Sequence, residues 1–149
     1  MIELLKRGKI FEKSAQNYCS MDTVGYHYVV EASGCDPEVL GNVDKLREIL
    51  LRAAKNAKMD VKGSYFFKFT PTGVSGTLIV AMSHVSIHTW PEHQYAALDV
   101  YVCGEGHDSE KAVSEILAGL KAKHAHITEI RRGVKDNDEF THIIVTWEE

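Results

Sequence analysis

Within ten residues the chain presents Ser83, His84, Ser86, His88, Trp90 and Glu92, directly after an apolar run from Gly76 to Ala81. Ser75 precedes that run and Cys103 follows twenty residues after Ser83. A serine beside a histidine suggests acyl transfer, because a general base can activate the hydroxyl. There is no GxSxG elbow and no clear triad order. Cys103 with His88 would make a Cys-His hydrolase, although a cysteine in a strand is more often a small core residue. His84 and His88, at i and i+4, would lie on one face as a metal pair only in a helix. Pro91 and the β-branched residues around them argue for a strand, so no metal site is expected. His93, His107, His124, His126 and His142 read as surface or structural residues.

A different use of serine fits these residues better. A serine in a tight position can attack its own preceding carbonyl and turn the amide into an ester. Elimination assisted by a base then cuts the chain and leaves a dehydroalanine, which hydrolyses to a pyruvoyl group. That ketone can form a Schiff base with an amine and take up the electrons left behind by departing CO2. On this reading the cut falls between Met82 and Ser83.

The elements that must hold these residues can be read from periodicity. Val24 to Glu31 is aromatic and β-branched, and reads as a strand with His27 and Glu31 on one face. Asp36 and Pro37 supply an N-cap and first-turn residue. Val43, Leu46, Ile49, Leu50, Ala53, Ala54 and Ala57 recur at helical spacing. Asp60 to Thr70 alternates, with Tyr65, Phe67 and Phe69 on one side, and Pro71-Thr72-Gly73 turns the chain. Strands follow at Gly76–Ala81, Val85–Trp90 and Tyr95–Cys103. The last places Tyr95, Ala97, Asp99, Tyr101 and Cys103 on one face, where the charge of Asp99 points to a polar pocket or a subunit interface. A second helix is capped at Asp108 or Ser109, and strands at His124–Ile130 and Phe140–Trp147 complete the pattern. Residues 1–20 read as a docking helix or a loose extension.

Short loops between successive strands predict a mainly antiparallel sheet, and two amphipathic helices can cover only one of its faces. The expected fold is α+β, a two-layer α/β sandwich in one domain of 1–149. Its open face would carry Phe67, Phe69, Tyr101, Cys103 and His88, and calls for a partner, most simply a second copy of the chain. The composition agrees: 149 residues with 44% hydrophobic and 26% charged content can build a core. A net charge of −4 gives nucleic-acid binding no electrostatic support. No apolar run approaches the length of a membrane span. Three cysteines without CxxC spacing, and no signal peptide, suggest a reduced cytoplasmic protein without disulfides or zinc.

Three linked stretches carry a resemblance: Gly73-Val74-Ser75-Gly76, then Ser83 through Glu92, then Tyr95 through Gly104. In motif and spacing they resemble the short prokaryotic S-adenosylmethionine decarboxylases, from about Gly25 to about Ile130 and most strongly from Phe69 to Gly104. The resemblance implies that Ser83 becomes the pyruvoyl group and Schiff-base site. It makes His88 the base for elimination, Ser75 its hydrogen-bonding helper in processing, and Cys103 the acid that protonates the substrate α-carbon. Glu92 would hold the ribose hydroxyls, Phe69 and Trp90 would contact the adenine or the sulfonium, and His27 and Glu31 would line the same pocket. It further implies cleavage into 1–82 and 83–149, and a homodimer of cleaved protomers with active sites between them. A pyruvoyl-dependent decarboxylase of ornithine or arginine is the alternative, since Ser83, His88 and Cys103 would serve either substrate. The departures from the family pattern are the N-terminal extension and the segment Lys135–Glu149.

Overall fold

The computed structural model describes residues 23–134 and 140–148. The expected segment over residues 1–20, Cys19, and residues 135–139 of the C-terminal segment lie outside the described residues. The strands are β1 (Gly25–Ser33), β2 (Val61–Lys68), β3 (Val74–Val80), β4 (Ser83–Trp90), β5 (Tyr95–Cys103), β6 (His124–Val134) and β7 (Phe140–Glu148). The helices are α1 (Pro37–Leu40), α2 (Val43–Asn56) and α3 (Ser109–Leu120). The strands form one antiparallel sheet in the order β2-β3-β4-β5-β1-β6-β7. β1 is thus inserted between β5 and β6, far from its neighbours in sequence.

The helices pack on one face, as the two-layer α+β expectation requires. Leu46, Leu50, Ala53, Ile116 and Leu120 meet Val30, Leu78, Ile87, Leu98 and Val100 from the sheet, all at 1% exposure or less. Each such leucine or isoleucine is worth roughly 1.5–3 kcal/mol of burial. A Cβ on Gly119 would lie 2.7 Å from Ile49 Cγ2, so this glycine allows α3 to close on α2.

The first helical region divides in two. Asp36 caps α1 by accepting from Glu38 N at 2.9 Å, and Pro37 takes the first turn. Gly41 interrupts the helix, and Asn42 restarts it by accepting from Lys45 N at 3.0 Å. Thr89 anchors the short α1 to the sheet. Its buried hydroxyl donates to the Leu40 carbonyl at 2.8 Å and accepts from Val74 N at 2.9 Å. β2 ends at Lys68, so Phe69 lies just outside the strand, with its N–H bonded to the Gly73 carbonyl at 2.9 Å.

The second face bears no helix. Period-two alternation directs Ser75, Thr77 and Ile79 of β3, His84, Ser86, His88 and Trp90 of β4, and Tyr95, Ala97, Asp99, Tyr101 and Cys103 of β5 onto it. His27, Val29 and Glu31 of β1 join them through the register of β1 with β5. Phe67, Ile79, Trp90 and Ile144 are all 39% exposed or more. The aromatic and apolar open face read from the sequence is therefore present. Among the described residues, no helix is long and apolar enough to cross a membrane.

Candidate active site

The candidate residues fall into two groups, one at each end of β4. At its C-terminal end, Ser75 and His88 are paired residues of adjacent strands, and Ser75 Oγ lies 2.7 Å from His88 Nδ1. The Trp90 ring centroid is 6.5 Å from that of His88 and 5.2 Å from that of Tyr95. Tyr95 donates its hydroxyl to Glu31. Burial first, and the Glu31 bond next, push the Tyr95 phenol up to about 12. Phe67 pairs with Ser75, and Phe69 meets Phe67 edge-on at 4.9 Å. Glu92 lies exposed on the 3-10 turn Pro91–His93 that follows Trp90.

At the N-terminal end of β4, the two-residue connection Ala81–Met82 leads into Ser83, which pairs with Val80. Met82 is 44% exposed, whereas Ser83 Oγ is buried and, among the described residues, is the one buried side-chain polar atom without a hydrogen-bond partner. The hydroxyl next to the Met82 carbonyl is thus desolvated and uncommitted. Such an atom is costly in a fold that gains nothing from it. Cys103 ends β5 on the same side of the molecule. A Cβ on the following Gly104 would sit 3.7 Å from Met82 Cε. Cys103 is half-buried and donates its S–H to Tyr101 OH at 2.9 Å.

The space behind this thiol depends on Gly25. A Cβ there would come within 2.9 Å of both Cys103 Sγ and Tyr101 Cε2. His27, His84 and Tyr101 occupy one row across β1, β4 and β5. Their rings lie 5.4–6.2 Å apart. His27 Nε2 bonds Asp99 Oδ1 at 3.0 Å, and this bond, more than the surrounding histidines, holds the Asp99 carboxyl below its usual range. The charge that the sequence places on this face of β5 is thus paired with His27.

One expectation needs correction. His84 and His88 do share a face, because i and i+4 have the same parity in a strand. They are nevertheless about 13 Å apart along an extended chain, too far to ligate one metal. Among the described residues, no group of three metal-ligating side chains exists. His27 and Glu31 also share a face but line opposite ends of it, His27 beside Tyr101 and Glu31 beside Tyr95. The larger separation is between Ser83 and His88, at five residues or about 17 Å along β4. The expected processing serine and its expected base do not meet within one protomer.

Tyr95, Tyr101 and Arg132 escaped the sequence reading as site residues. Alternation along β5 already put both tyrosines on the open face. Arg132, whose guanidinium lies 4.8 Å from the Tyr101 ring centroid, reaches it only because β1 and β6 pair.

A model of the S-adenosylmethionine decarboxylase family matches residues 26–133. The chain belongs to that family. It is 67% identical over 130 residues to the S-adenosylmethionine decarboxylase proenzyme of Thermococcus onnurineus, covering 87% of this chain and 92% of the relative. The proenzyme of Caldicellulosiruptor saccharolyticus is 44% identical over 114 residues, 76% of this chain and 92% of that protein. Among solved structures, the adenosylmethionine decarboxylase of Aquifex aeolicus superposes with a TM-score of 0.73 at 34% identity, over 79% of this chain and 98% of that one. The family match spans both ends of β4, from the Ser75–His88 pair to the Met82–Ser83 turn with Cys103.

Proposed function

We propose that this chain decarboxylates S-adenosylmethionine through a pyruvoyl group formed from its own Ser83, as a homodimer whose active sites are each shared by two protomers. The observation that carries the reading is the placement of Ser75 and His88 at one end of the β3–β4 hairpin and of Met82, Ser83 and Cys103 at the other. Two copies related by a two-fold axis, open face to open face, would set the first end of each against the second end of the other, twice.

Ser83 fits the group in question. Its Oγ is buried and forms no hydrogen bond, so its lone pairs are free for attack on the Met82 carbonyl carbon. The C–N bond of residues 82 and 83 then breaks and an ester forms. The partner's His88 removes the Ser83 Cα proton, and the Met82 carboxylate departs as the end of fragment 1–82. The dehydroalanine left behind takes up water and loses ammonia. Ser75 orients the base: with Nδ1–H donating to Ser75 Oγ, His88 Nε2 keeps its lone pair for the proton.

The ketone supplies an electrophilic carbon for the substrate amine and a sink for the electrons released with CO2. Cys103 stands at the same end of the face, where its S–H can deliver a proton to the substrate α-carbon. Phe69 and Trp90 provide exposed rings for the adenine and for cation–π attraction to the sulfonium. Glu92 and Glu31 supply carboxylates for the ribose hydroxyls.

Intact-mass spectrometry joined to CO2 release tests this. Purified protein should give two fragments, 1–82 and 83–149, the second reactive toward a carbonyl reagent. It should release CO2 from S-adenosylmethionine and not from ornithine or arginine. A single 16.7 kDa species without such a carbonyl defeats the pyruvoyl mechanism. CO2 from an amino acid alone defeats the substrate.

A further inference from the structure

Tyr101 stands between the Cys103 thiol and three other side chains of the open face. Its hydroxyl accepts the Cys103 S–H at 2.9 Å. His84 faces it from β4 and His27 from β1, each the residue directly opposite on the neighbouring strand. Arg132 of β6 covers its ring at 4.8 Å, and Asp99, next on the same face of β5, is bonded to His27. Gly25, lacking a Cβ, leaves open the space that the thiol and the phenol occupy, since a Cβ there would lie 2.9 Å from both Cys103 Sγ and Tyr101 Cε2. The phenol is therefore held, and the thiol is held by the phenol.

We propose that Tyr101 is the positioning residue of Cys103: its oxygen orients the S–H bond before proton transfer, and its O–H turns back to the sulfur once the proton has left. The inference rests on the proposed role of Cys103 as proton donor. In the resting state the thiol is the donor and the phenol the acceptor. After Cys103 gives its proton to the substrate carbon, the sulfur carries a full negative charge and becomes the stronger acceptor. The phenol needs only a rotation about its C–O bond to donate to it. A hydrogen bond to a charged group is about twice as strong as one between neutral groups, so the thiolate gains more than the thiol. The positive charge of Arg132 on the ring face makes the phenol a better donor. Burial, followed by the Cys103 bond, keeps the phenol above its ordinary range, so it retains its proton at neutral pH.

The test measures the thiol itself, in processed protein without substrate. The rate of Cys103 alkylation by iodoacetamide is followed against pH and corrected with Cys103→Ala for Cys19 and Cys35. In Tyr101→Phe the midpoint should rise by about one pH unit, a tenfold loss of thiolate at a given pH. Self-cleavage should stay complete, and kcat should fall about tenfold with KM unchanged. Site-specific 3-fluorotyrosine at position 101, a stronger donor of nearly the same shape, should move the midpoint down, and it decides the matter if Tyr101→Phe fails to fold. Profiles that superimpose on the wild type overturn the proposal, whatever the substrate proves to be. A shifted profile in a protein inactive on S-adenosylmethionine would sustain the link between Tyr101 and Cys103 while removing the substrate assignment.

Discussion

Ser75 Oγ and His88 Nδ1 meet at 2.7 Å across the β3–β4 pair, at the end of the hairpin away from the turn that holds Met82 and Ser83. The strand between them is extended, so no rotamer change in one protomer brings the imidazole to the scissile bond.

This separation predicts complementation. Ser83→Ala alone and His88→Ala alone should each remain one uncut chain. Co-expressed, they should form mixed dimers in which the His88→Ala chain is cut, because the Ser83→Ala partner lends it a histidine. Mass spectrometry distinguishes the fragments by the His88→Ala mass difference. If both chains stay intact although native mass shows mixed dimers, sharing of the site between protomers is excluded.

Cys103 and the cut should separate in the same way. Cys103→Ala leaves Ser83 and the Ser75–His88 pair untouched, so cleavage should proceed. Loss of a positioned acid should lower kcat by roughly 10²–10⁴-fold. Parallel measurement of the cleaved fraction and of CO2 release checks this. A variant that is neither cut nor active would assign Cys103 to processing instead.

The His27–Asp99 pair should leave its mark in acid. A carboxyl held below its ordinary value stabilises the fold above its unfolded pKa of about 4, and this contribution fades as pH falls through the folded value. Wild type should therefore exceed Asp99→Asn in stability at pH 5, with the difference closing as pH approaches 2. The Asp99 side chain is 36% exposed, so solvent screening keeps the pH-dependent part below about 1 kcal/mol. Chemical denaturation of both proteins at several pH values would measure it. A gap that stays constant with pH would remove the ion-pair account.

Gly25→Ala probes the space behind the thiol. The new methyl would fall 2.8 Å from the Val102 carbonyl oxygen and 2.9 Å from Cys103 Sγ. Overpacking of this kind costs about 1–3 kcal/mol, visible as a lowered melting temperature. Turnover should fall further than the amount of folded protein does, since the displaced atom is the sulfur. Activity per folded molecule equal to wild type would show that the thiol tolerates the shift.

Much of this arrangement was legible from residue order alone. Strict alternation from Tyr95 to Cys103 assigned both faces of β5, and the apolar spacing from Val43 to Ala57 required a helix on a flat surface. The density of polar residues from Ser83 to Glu92 pointed to the candidate site. The contacts that shape its chemistry were not legible. His27 meets Asp99 and Arg132 meets Tyr101 only because β1 enters the sheet between β5 and β6, and that long-range choice has no local signal. The two-ended layout escaped for a related reason. Ser83 and His88 are near in sequence, and only an extended backbone makes five residues a long distance.

The same strand order decides what a cut at Met82–Ser83 does to the molecule. β1 comes from the first fragment, yet it lies between β5 and β6 of the second, while β2 and β3 hold the flank of β4. The two fragments are interleaved, and neither owns a continuous sheet. Scission at the hairpin thus opens one turn without freeing either piece, because parting them would require tearing β1 from both of its neighbours. The nicked protein should keep the shape of the intact one and come apart only on unfolding, so that scission changes the chemistry at residue 83 while the architecture persists.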